Sequence, residues 1–438
     1  MATTVALAAV LAGWMAARLP PAAAIAGGVL VVGALAALRR PALGLGGLTA
    51  LAILAPFVIV PVRVGAQPPV IAVLVALLIG VSALAVIRGA RSLSRDRILI
   101  VQGLYLLLIL LAAAIAWPVN RDFEALQTGL KLAMAAAAPL LVVMWLPRSV
   151  IRRHGQRVIV GAAAIQAALA VVLHLAGDAG IRFLEALSPA GYPASDIQRF
   201  LPDEVTPRAT GLLVDPNVLG VTLAMALPFA MVGCTGSARR FALQATAIGL
   251  IAAALVLTLS RGAWVGAAVA ALVVIASTRP RLGAGLALAG ALGLIVPWSG
   301  GLGEAIRAAV VQRDLSDALR LGELREAVHV IGRYPWFGVG YGASPDVDVF
   351  VGVSNTWLWI AERAGVLAAA AALGVVVATV ARAARFVRRD PMARACVAGL
   401  AALLAASMVD HHLASFQHLA VLGGVLVGAT LVVARRSP

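Results

Sequence analysis

The chain has 438 residues, of which 62% are hydrophobic and only 12% are charged. A soluble globular domain carries about 25% charged residues, so this composition excludes an ordinary soluble enzyme. The net charge of +16 would suit a nucleic-acid-binding protein, but the basic residues stand in short segments between long apolar runs. That distribution indicates a membrane protein with no nucleic-acid partner.

Apolar runs long enough to cross about 30 Å of hydrocarbon recur along the whole chain. They predict an all-α polytopic membrane protein of about 12–14 transmembrane helices, with residues 1–438 forming a single transmembrane domain. The first run lacks the basic segment of a cleaved signal peptide and is interpreted as the first span. The predicted spans are approximately 3–18, 22–38, 42–60, 69–88, 98–117, 126–146, 157–176, 214–233, 240–259, 262–278, 282–297, 354–381, 393–410 and 414–434.

Arginine is distributed unequally between the two sides that these spans define. One set of connections holds 21 arginines and 2 acidic residues, Asp96 and Asp390, whereas the other holds 13 arginines and 17 acidic residues. The positive-inside rule places the first set in the cytoplasm, and both chain ends with it. The protein is therefore predicted to be a multi-pass protein of the cytoplasmic (inner) membrane, whose basic excess requires no partner beyond anionic lipid.

Two long segments, 177–213 and 298–353, are predicted to be extracytoplasmic loops, and long loops in compact membrane proteins are usually functional or disordered. The first ends in PRATGLLVDPNVLG (207–220). Asp215 is predicted to cap the following helix, and Pro216 suits its first turn. Helix-start chemistry explains neither Arg208 nor Asn217, which makes both of them candidate site residues.

The second loop contains DLSDALRLGELREAVHVIGRYPWFGVGYG (314–342). Leu324, Ala327, Val328 and Ile331 repeat at i, i+3, i+4 and i+7, which predicts an amphipathic helix over 315–331 on the outer membrane surface. The VGYG that follows lacks the pore context of a potassium filter and the βαβ unit of a nucleotide loop. Its glycines instead predict a tight turn or a close approach of the backbone to a ligand.

Two further charged positions stand in apolar sequence. Arg261, in LTLSRGAWVG (257–266), lies midway in a run that is long enough for two crossings, so it marks the outer turn. An outer arginine departs from the positive-inside trend and favours an anionic ligand, although a snorkelling interfacial arginine is the alternative. Glu362, in SNTWLWIAERAGVL (354–367), is predicted to pair with Arg363 or to face a cavity, because a lone charge there is costly.

The order of these motifs resembles the O-antigen ligase and polymerase superfamily, which includes lipopolysaccharide O-antigen ligases and Wzy-type polymerases. The resemblance rests on RATG and DPN, then LSRG, then Arg320 followed by PWFGVGYG, then SNTWL and Glu362-x-x-Gly365. It covers about 205–370 in detail, and the long outer loop agrees with it. The resemblance implies a metal-independent, inverting glycosyltransferase without cofactors. Its donor would be a glycan on a polyprenyl diphosphate such as undecaprenyl diphosphate, and a hydroxyl of a glycan or glycolipid would be the acceptor.

By motif position, the resemblance implies that Arg208 and Arg261 contact the diphosphate and that Arg320 is a further cationic contact. Fixed guanidinium groups can stabilise the negative charge that develops on a departing diphosphate. Residues of the same motifs are the predicted substrate contacts: Asn217, Tyr341, Ser354, Asn355 and Glu362.

The chain departs from the ligase pattern at Ser354, where ligases typically have a histidine that is thought to help activate the acceptor. A serine hydroxyl is not a base at neutral pH. The alternatives for a replacement base, if one is needed, are Glu326, His329, Asp410 and His411, of which Glu326 and His329 are included among the predicted catalytic residues. A polymerase or another envelope-glycan transferase therefore fits at least as well as a ligase.

Two other functions remain open. A flippase or other transporter of lipid-linked oligosaccharides would show internal repeats and charged or broken helices near the membrane midplane. The sequence shows no obvious repeat, and its charges gather toward the outer side. An inactive relative that binds glycan lipid is the second alternative.

Overall fold

The computed structural model describes residues 37–60, 68–92, 96–120, 123–193, 207–232, 237–295, 315–342 and 353–435, together with Gly28 and Ala34. The predicted spans 3–18 and 22–38 lie almost entirely outside these residues. Helices dominate the described chain, and no sheet is formed in these ranges beyond one isolated antiparallel bridge between Ile59 and Pro69. The prediction of an all-α polytopic membrane protein is confirmed.

The helices begin and end close to the predicted spans, because the bilayer thickness constrains the length of each apolar run. In chain order they are α1 (Pro41–Leu54), α2 (Val70–Ile87), α3 (Arg97–Asn120), α4 (Phe123–Trp145), α5 (Arg148–Leu175), α6 (Asp178–Glu185), α7 (Pro216–Met231), α8 (Ala238–Leu257), α9 (Arg261–Thr278), α10 (Pro280–Ile295), α11 (Leu315–Arg333), α12 (Thr356–Ala364), α13 (Val366–Ala384), α14 (Pro391–Ser407), α15 (His412–Ser415) and α16 (Gln417–Val433).

Length and composition separate the described helices into two groups. Seven of them are long and apolar enough to cross a membrane, namely α2, α3, α4, α5, α8, α9 and α13. The shorter apolar helices are α1, α7, α14 and α16. Of these, α7 is buried on nearly every side, with 13 of its 16 residues inside the bundle, as expected for a helix that is hydrophobic all round.

Small residues bring α7, α9 and α14 into close contact. A Cβ added at Gly220 of α7 would lie 2.5 Å from the Cβ of Ala263 on α9. A Cβ added at Gly266 of α9 would lie 2.9 Å from the carbonyl oxygen of Ala402 on α14. Glycine at such positions lets helix backbones approach closely within a membrane. The close packing draws the start of α7, the start of α9 and the end of α14 together at one end of the bundle.

The other end of the bundle is rich in arginine. Asp390 accepts from Arg148 at 3.4 Å and also pairs with Arg152, and Asp96 pairs with Arg382. These are the two acidic residues that the charge pattern placed among the arginines, and the ion pairs bring the ends of α3, α5, α13 and α14 to the same side. These four helix ends therefore lie on the same side, as the predicted spans require.

The predicted span 354–381 is not one helix, and this prediction was wrong. Gly365, with φ of +89°, separates α12 from α13. A Cβ at Gly365 would lie 2.0 Å from the carbonyl oxygen of Trp336, and the backbone N–H of Val366 donates to the carbonyl of Pro335 at 2.8 Å. The chain bends there because the segment before α12 packs directly against the break.

The segment PWFGVGYG forms the tight turn that its glycines predicted. Gly338 has φ of +64°, a conformation that glycine adopts without a steric penalty. The backbone N–H of Val339 donates to the carbonyl of Glu362 at 2.9 Å, and that of Gly340 donates to the carbonyl of Arg363 at 3.0 Å. The close approach that these glycines permit is therefore to the chain's own backbone at the end of α12.

Helix α11 confirms the predicted helix but not the whole of its apolar stripe. Ala327 and Val330 are buried, whereas Leu324 and Val328 are 41% and 58% exposed. The helix turns Ala327 and Val330 toward the protein and leaves Leu324 and Val328 outward. An outward apolar face suits a helix that lies at a membrane surface.

Candidate functional site

Polar side chains from distant parts of the sequence meet at the end of the bundle opposite the arginine-rich end. They come from the segment before α7, from the start of α7 and from the turn between α14 and α15. We call this group the polar end cluster, and it comprises Arg208, Asp215, Asn217, Asp410, His411 and His412.

The start of α7 forms as its sequence predicts. The Oδ1 atom of Asp215 accepts from the backbone N–H groups of Asn217 at 2.7 Å and Val218 at 3.3 Å, which satisfies donors that have no partner within the helix. Val214, just before the cap, has φ of +66°. A β-branched residue in this region is strained, and such strain is found preferentially at functional sites.

Arg208 is fixed between two structural elements. Its Nε donates to the carbonyl of Thr258 at 2.8 Å, and its Nη2 donates to Oδ1 of Asn217 at 2.8 Å. Thr258 follows the last residue of α8, so its carbonyl lies at the negative end of the helix dipole, where a guanidinium is favourable. The neighbouring Ala209 N–H donates to the carbonyl of Leu257 at 2.9 Å. The segment around Arg208 is thereby attached to the turn between α8 and α9.

Arg261 is the first residue of α9 and lies at this same turn, as its position in the apolar run predicted. It follows Ser260, the N-cap, and Leu259, which has φ of +49°. A Cβ added at the adjacent Gly262 would lie 2.8 Å from Val409. The backbone at Arg261 therefore lies beside the turn that carries the two histidines of the polar end cluster.

The start of α12 holds the turn between α14 and α15 in place. Asn355 is the N-cap of α12, and its Oδ1 accepts from the first N–H groups of that helix, while its Nδ2 donates to the carbonyl of Met408 at 2.8 Å. The hydroxyl of Thr356 donates to the carbonyl of Asp410 at 2.8 Å. The sequence SNT therefore positions Asp410 and the histidines that follow it.

His412 lies between two carboxylates. Its Nε2 is 3.4 Å from Oδ1 of Asp215 and 3.2 Å from Oδ2 of Asp410. Burial alone would lower the pKa of His412, but the hydrogen bond with Asp215 and the two negative charges raise it above its ordinary value. Burial likewise opposes ionisation of Asp215, yet the interactions with His412 and the backbone N–H groups lower its pKa to about 2. The protonated form of His412 is therefore favoured.

His411 has the opposite tendency. Burial and the positive charge of His412 lower the pKa of His411, and they outweigh the effect of Asp410, Glu323 and Asp215. Its Nδ1 lies 3.5 Å from Oδ1 of Asp410, and its side chain is 32% exposed. The rings of His411 and His412 are 5.0 Å apart between centroids. The surroundings of the two adjacent histidines thus favour protonation of His412 and disfavour protonation of His411.

Helix α11 contributes an acidic residue that the motifs did not predict. Oε2 of Glu323 accepts from the backbone N–H of Ser354 at 3.0 Å, and its charge acts on His411. Glu326 is half-buried and His329 is exposed on the same helix. This hydrogen bond connects Glu323 to the segment just before α12. The predicted catalytic roles of Glu326 and His329 stay predictions.

A comparison with protein families bears on this geometry. Residues 246–373 match the family model described as O-antigen ligase. The chain contains an O-antigen ligase domain. The match confirms the family that the motifs resembled, and it includes the turn with Arg261 and helices α9 to α12. Arg208 and the two histidines lie outside the matched segment. None of the curated proteins matches the chain.

Within the O-antigen ligase domain, Glu362 is buried and pairs with Arg363 at 3.1 Å, as predicted for a charge in an apolar helix. Arg363 also donates to the carbonyl of Gly342 at 2.5 Å. Tyr341 packs against Trp359 with ring centroids 6.2 Å apart, and its hydroxyl donates to a carbonyl of α3 at 3.5 Å. Both predicted substrate contacts thus hold the 335–342 segment against its neighbours, and their contact with substrate stays a prediction.

The third predicted phosphate arginine of the O-antigen ligase domain is Arg320. Its backbone lies in α11, but its side chain lies outside the described residues. The structure therefore brings two of the three arginine positions, Arg208 and Arg261, to one turn. Convergence of all three on one diphosphate stays a prediction.

The polar end cluster also has the composition of a metal site. Asp410, His411 and His412 each offer a ligand atom, and these atoms lie within 4.8 Å of one another. In the structure, however, Nε2 of His412 is already shared between two carboxylates, so a divalent cation would have to displace a proton. Such a displacement depends on pH and on metal concentration. The predicted independence of metal therefore stays a prediction, with chelation as its test.

Proposed function

We propose that the chain is a metal-independent, inverting glycosyltransferase that acts at the extracytoplasmic end of the bundle. It moves a glycan from a polyprenyl diphosphate carrier to an acceptor hydroxyl. The observation that carries this proposal is the fixed guanidinium of Arg208 beside the carboxylates and histidines of the polar end cluster. The O-antigen ligase domain, which includes Arg261, supports the same reaction class.

The chemistry requires little covalent participation by the protein. The acceptor oxygen attacks the anomeric carbon, and the bond from that carbon to the diphosphate oxygen breaks with inversion. The electron pair leaves with the diphosphate, whose growing negative charge is the feature to be stabilised. Arginine suits this task because its planar fork of N–H groups matches the phosphate oxygens. Arg208 is held in advance by Thr258 and Asn217, so it needs little reorganisation during the reaction.

The position of the cluster suits a substrate that is half lipid and half sugar. The polar end cluster lies where several apolar helices begin or end, so a lipid tail can stay in the hydrocarbon while the glycan stays in water. Exposed apolar side chains of α11 and its following segment, including Trp336 at 65% exposure, provide further contact with a membrane surface. We propose that the donor enters from the lipid beside this end of the bundle.

Arg208 supplies the variant that tests the proposal. The purified chain is incubated with a polyprenyl-diphosphate oligosaccharide and candidate acceptors, and the released polyprenyl diphosphate is measured. Arg208→Ala and Arg208→Lys should lower the rate about 100-fold to 1000-fold, the usual effect of removing one charge-stabilising donor. Lysine should fail because it lacks the fork that bridges Thr258 and Asn217. Arg153→Ala, an exposed site at the arginine-rich end, is the matched control and should retain the wild-type rate.

The products of the same experiment distinguish the remaining functions. Condensation of the donor with itself indicates a polymerase, whereas transfer only to a different acceptor indicates a ligase. Release of no polyprenyl diphosphate with any acceptor would contradict the proposal. In that case, movement of the donor between the leaflets of a vesicle would assign transport instead.

A further inference from the structure

The turn between α14 and α15 contains two adjacent histidines whose surroundings differ. His412 is enclosed by Asp215 and Asp410, with a side chain 12% exposed, whereas the side chain of His411 is 32% exposed. Among the described residues, Nδ1 of His411 is buried and accepts or donates no hydrogen bond. The exposed area of this side chain therefore belongs to its other atoms, among which Nε2 is the one that can accept a proton. A neutral imidazole with one nitrogen turned inward and the other outward has the form of a general base.

From this geometry we propose that His411 is the base that removes the proton from the acceptor hydroxyl, with Asp410 as its positioning residue. Nδ1 of His411 lies 3.5 Å from Oδ1 of Asp410. That contact is loose, as catalytic hydrogen bonds often are before substrate binds. Asp410 is itself fixed, because its Oδ1 accepts from the backbone N–H of His411 at 2.7 Å and its carbonyl accepts from Thr356 at 2.8 Å. The inference rests on the proposed function, whose acceptor it deprotonates.

His412 positions His411 and takes no part in the proton transfer. Its Nε2 is shared by Asp215 and Asp410, at 3.4 and 3.2 Å, so its proton is held. The ring of His412 lies 5.0 Å from that of His411, and a proton on His412 opposes a proton on His411, because like charges disfavour each other's ionisation. The pKa of His411 is lowered accordingly.

The location also accounts for the departure at Ser354. Asn355 and Thr356, the next two residues, hold the turn that carries His411 through hydrogen bonds to Met408 and Asp410. An imidazole is therefore supplied next to the start of α12 by the turn between α14 and α15, although position 354 itself is a serine. Glu323, which accepts from the N–H of Ser354, adds negative charge facing the same histidine.

The step balances without any further reactant. Nε2 of His411 takes the proton of the acceptor hydroxyl while the oxygen forms its bond to the anomeric carbon. The bond from that carbon to the diphosphate breaks, and the diphosphate leaves with the electron pair. The imidazolium that results then returns its proton to water or to the departing diphosphate.

Chemical rescue tests the proposal in the full chain with the polyprenyl-diphosphate oligosaccharide as donor. His411→Ala should lower the transfer rate about 100-fold or more, and so should His411→Asn, which keeps a planar side chain without the base. Added imidazole should restore transfer in His411→Ala but not in Arg208→Ala, because only the former lacks a base. His154→Ala, which changes an exposed histidine at the arginine-rich end, is the matched control and should keep the wild-type rate.

Three results would overturn the inference. Transfer by both His411 variants within about threefold of the wild type would exclude a base at this position. Loss of transfer that imidazole does not restore, in a variant that still binds donor, would assign a purely structural role. Absence of transfer by the wild type with every acceptor would remove the proposed function, and this inference with it. If His411→Ala proves unfolded by size-exclusion chromatography, His411→Asn decides by its own rate.

Discussion

The break between α12 and α13 provides a prediction whose size follows from the structure. Gly365 has φ of +89° and ψ of 162°, a region that is essentially restricted to glycine and costs other residues about 1–3 kcal/mol. In Gly365→Ala the new Cβ would also lie 2.0 Å from the carbonyl oxygen of Trp336. One of the two segments must therefore move.

Movement there breaks hydrogen bonds between the 335–342 segment and the helix ends. Three of them cross this contact: Val366 N–H to the carbonyl of Pro335 at 2.8 Å, Val339 N–H to that of Glu362 at 2.9 Å, and Gly340 N–H to that of Arg363 at 3.0 Å. Each contributes about 0.5–1.5 kcal/mol. Loss of one or two, added to the backbone strain, predicts a destabilisation of about 1.5–6 kcal/mol.

The measurement is the unfolding midpoint of the purified protein in detergent, followed by tryptophan fluorescence. Gly374→Ala is the control, because Gly374 lies within α13 and a Cβ there meets nothing within 4 Å. That variant should gain about 0.5–1 kcal/mol, the usual effect of replacing an unstrained helical glycine by alanine. If Gly365→Ala unfolds at or above the wild-type midpoint, the reasoning from backbone conformation is refuted.

The remaining predictions concern the site. Arg261→Ala should abolish glycan transfer while the protein stays inserted and abundant; retained transfer would argue against a diphosphate contact. Transfer should persist in EDTA, and a loss of activity that Mg²⁺ reverses would show that a metal is required. In the folded state the pKa of His412 is raised and that of Asp215 is lowered to about 2. Their ion pair therefore contributes its full stabilisation between about pH 4 and 6.5. The contribution decreases as pH rises through the folded pKa of His412, and it decreases as pH falls toward 2. The measurement uses a His411→Asn background, because His411, with its lowered pKa, would give a dependence of stability on pH of the opposite sign. In that background the unfolding midpoint should drop at alkaline pH. A further His412→Asn change should abolish that drop. Asn355→Ala should lose about 1 kcal/mol of capping and the bond that holds the histidine turn; unchanged stability and activity would remove its positioning role.

The sequence was sufficient to predict most of the helices that the structure describes, although it joined α12 and α13 into one span. Apolar length is constrained by the bilayer, so the predicted span 157–176 and the end of α5 at Leu175 agree closely. Charge distribution was equally informative, because Asp96 and Asp390 were grouped with arginines that they do contact. The cap at Asp215 also followed from local sequence, since capping depends on only a few neighbouring residues.

The arginines of the candidate site could be predicted from the sequence, but the contacts between its carboxylates and histidines could not. Arg208 and Arg261 were found through motifs, and Asp410 and His411 were included among the possible bases. His412 was missed, although three polar residues at the end of an apolar helix were a signal that could have found it. Its partner Asp215 stands 197 residues earlier in the chain, so no local pattern connects the two.

By itself, therefore, the sequence determined that this chain is a helical membrane protein, which family its motifs resemble and approximately where most of the described helices lie. Only the tertiary structure decided which face of each helix meets which neighbour. That choice depends on packing at glycines such as Gly220 and Gly266. It also places Glu323 against the segment just before α12. The same packing sets His411 and His412 in different environments. The rotation of each helix about its own axis is decided by side-chain contacts across the whole bundle, and the order of residues within one helix does not determine it.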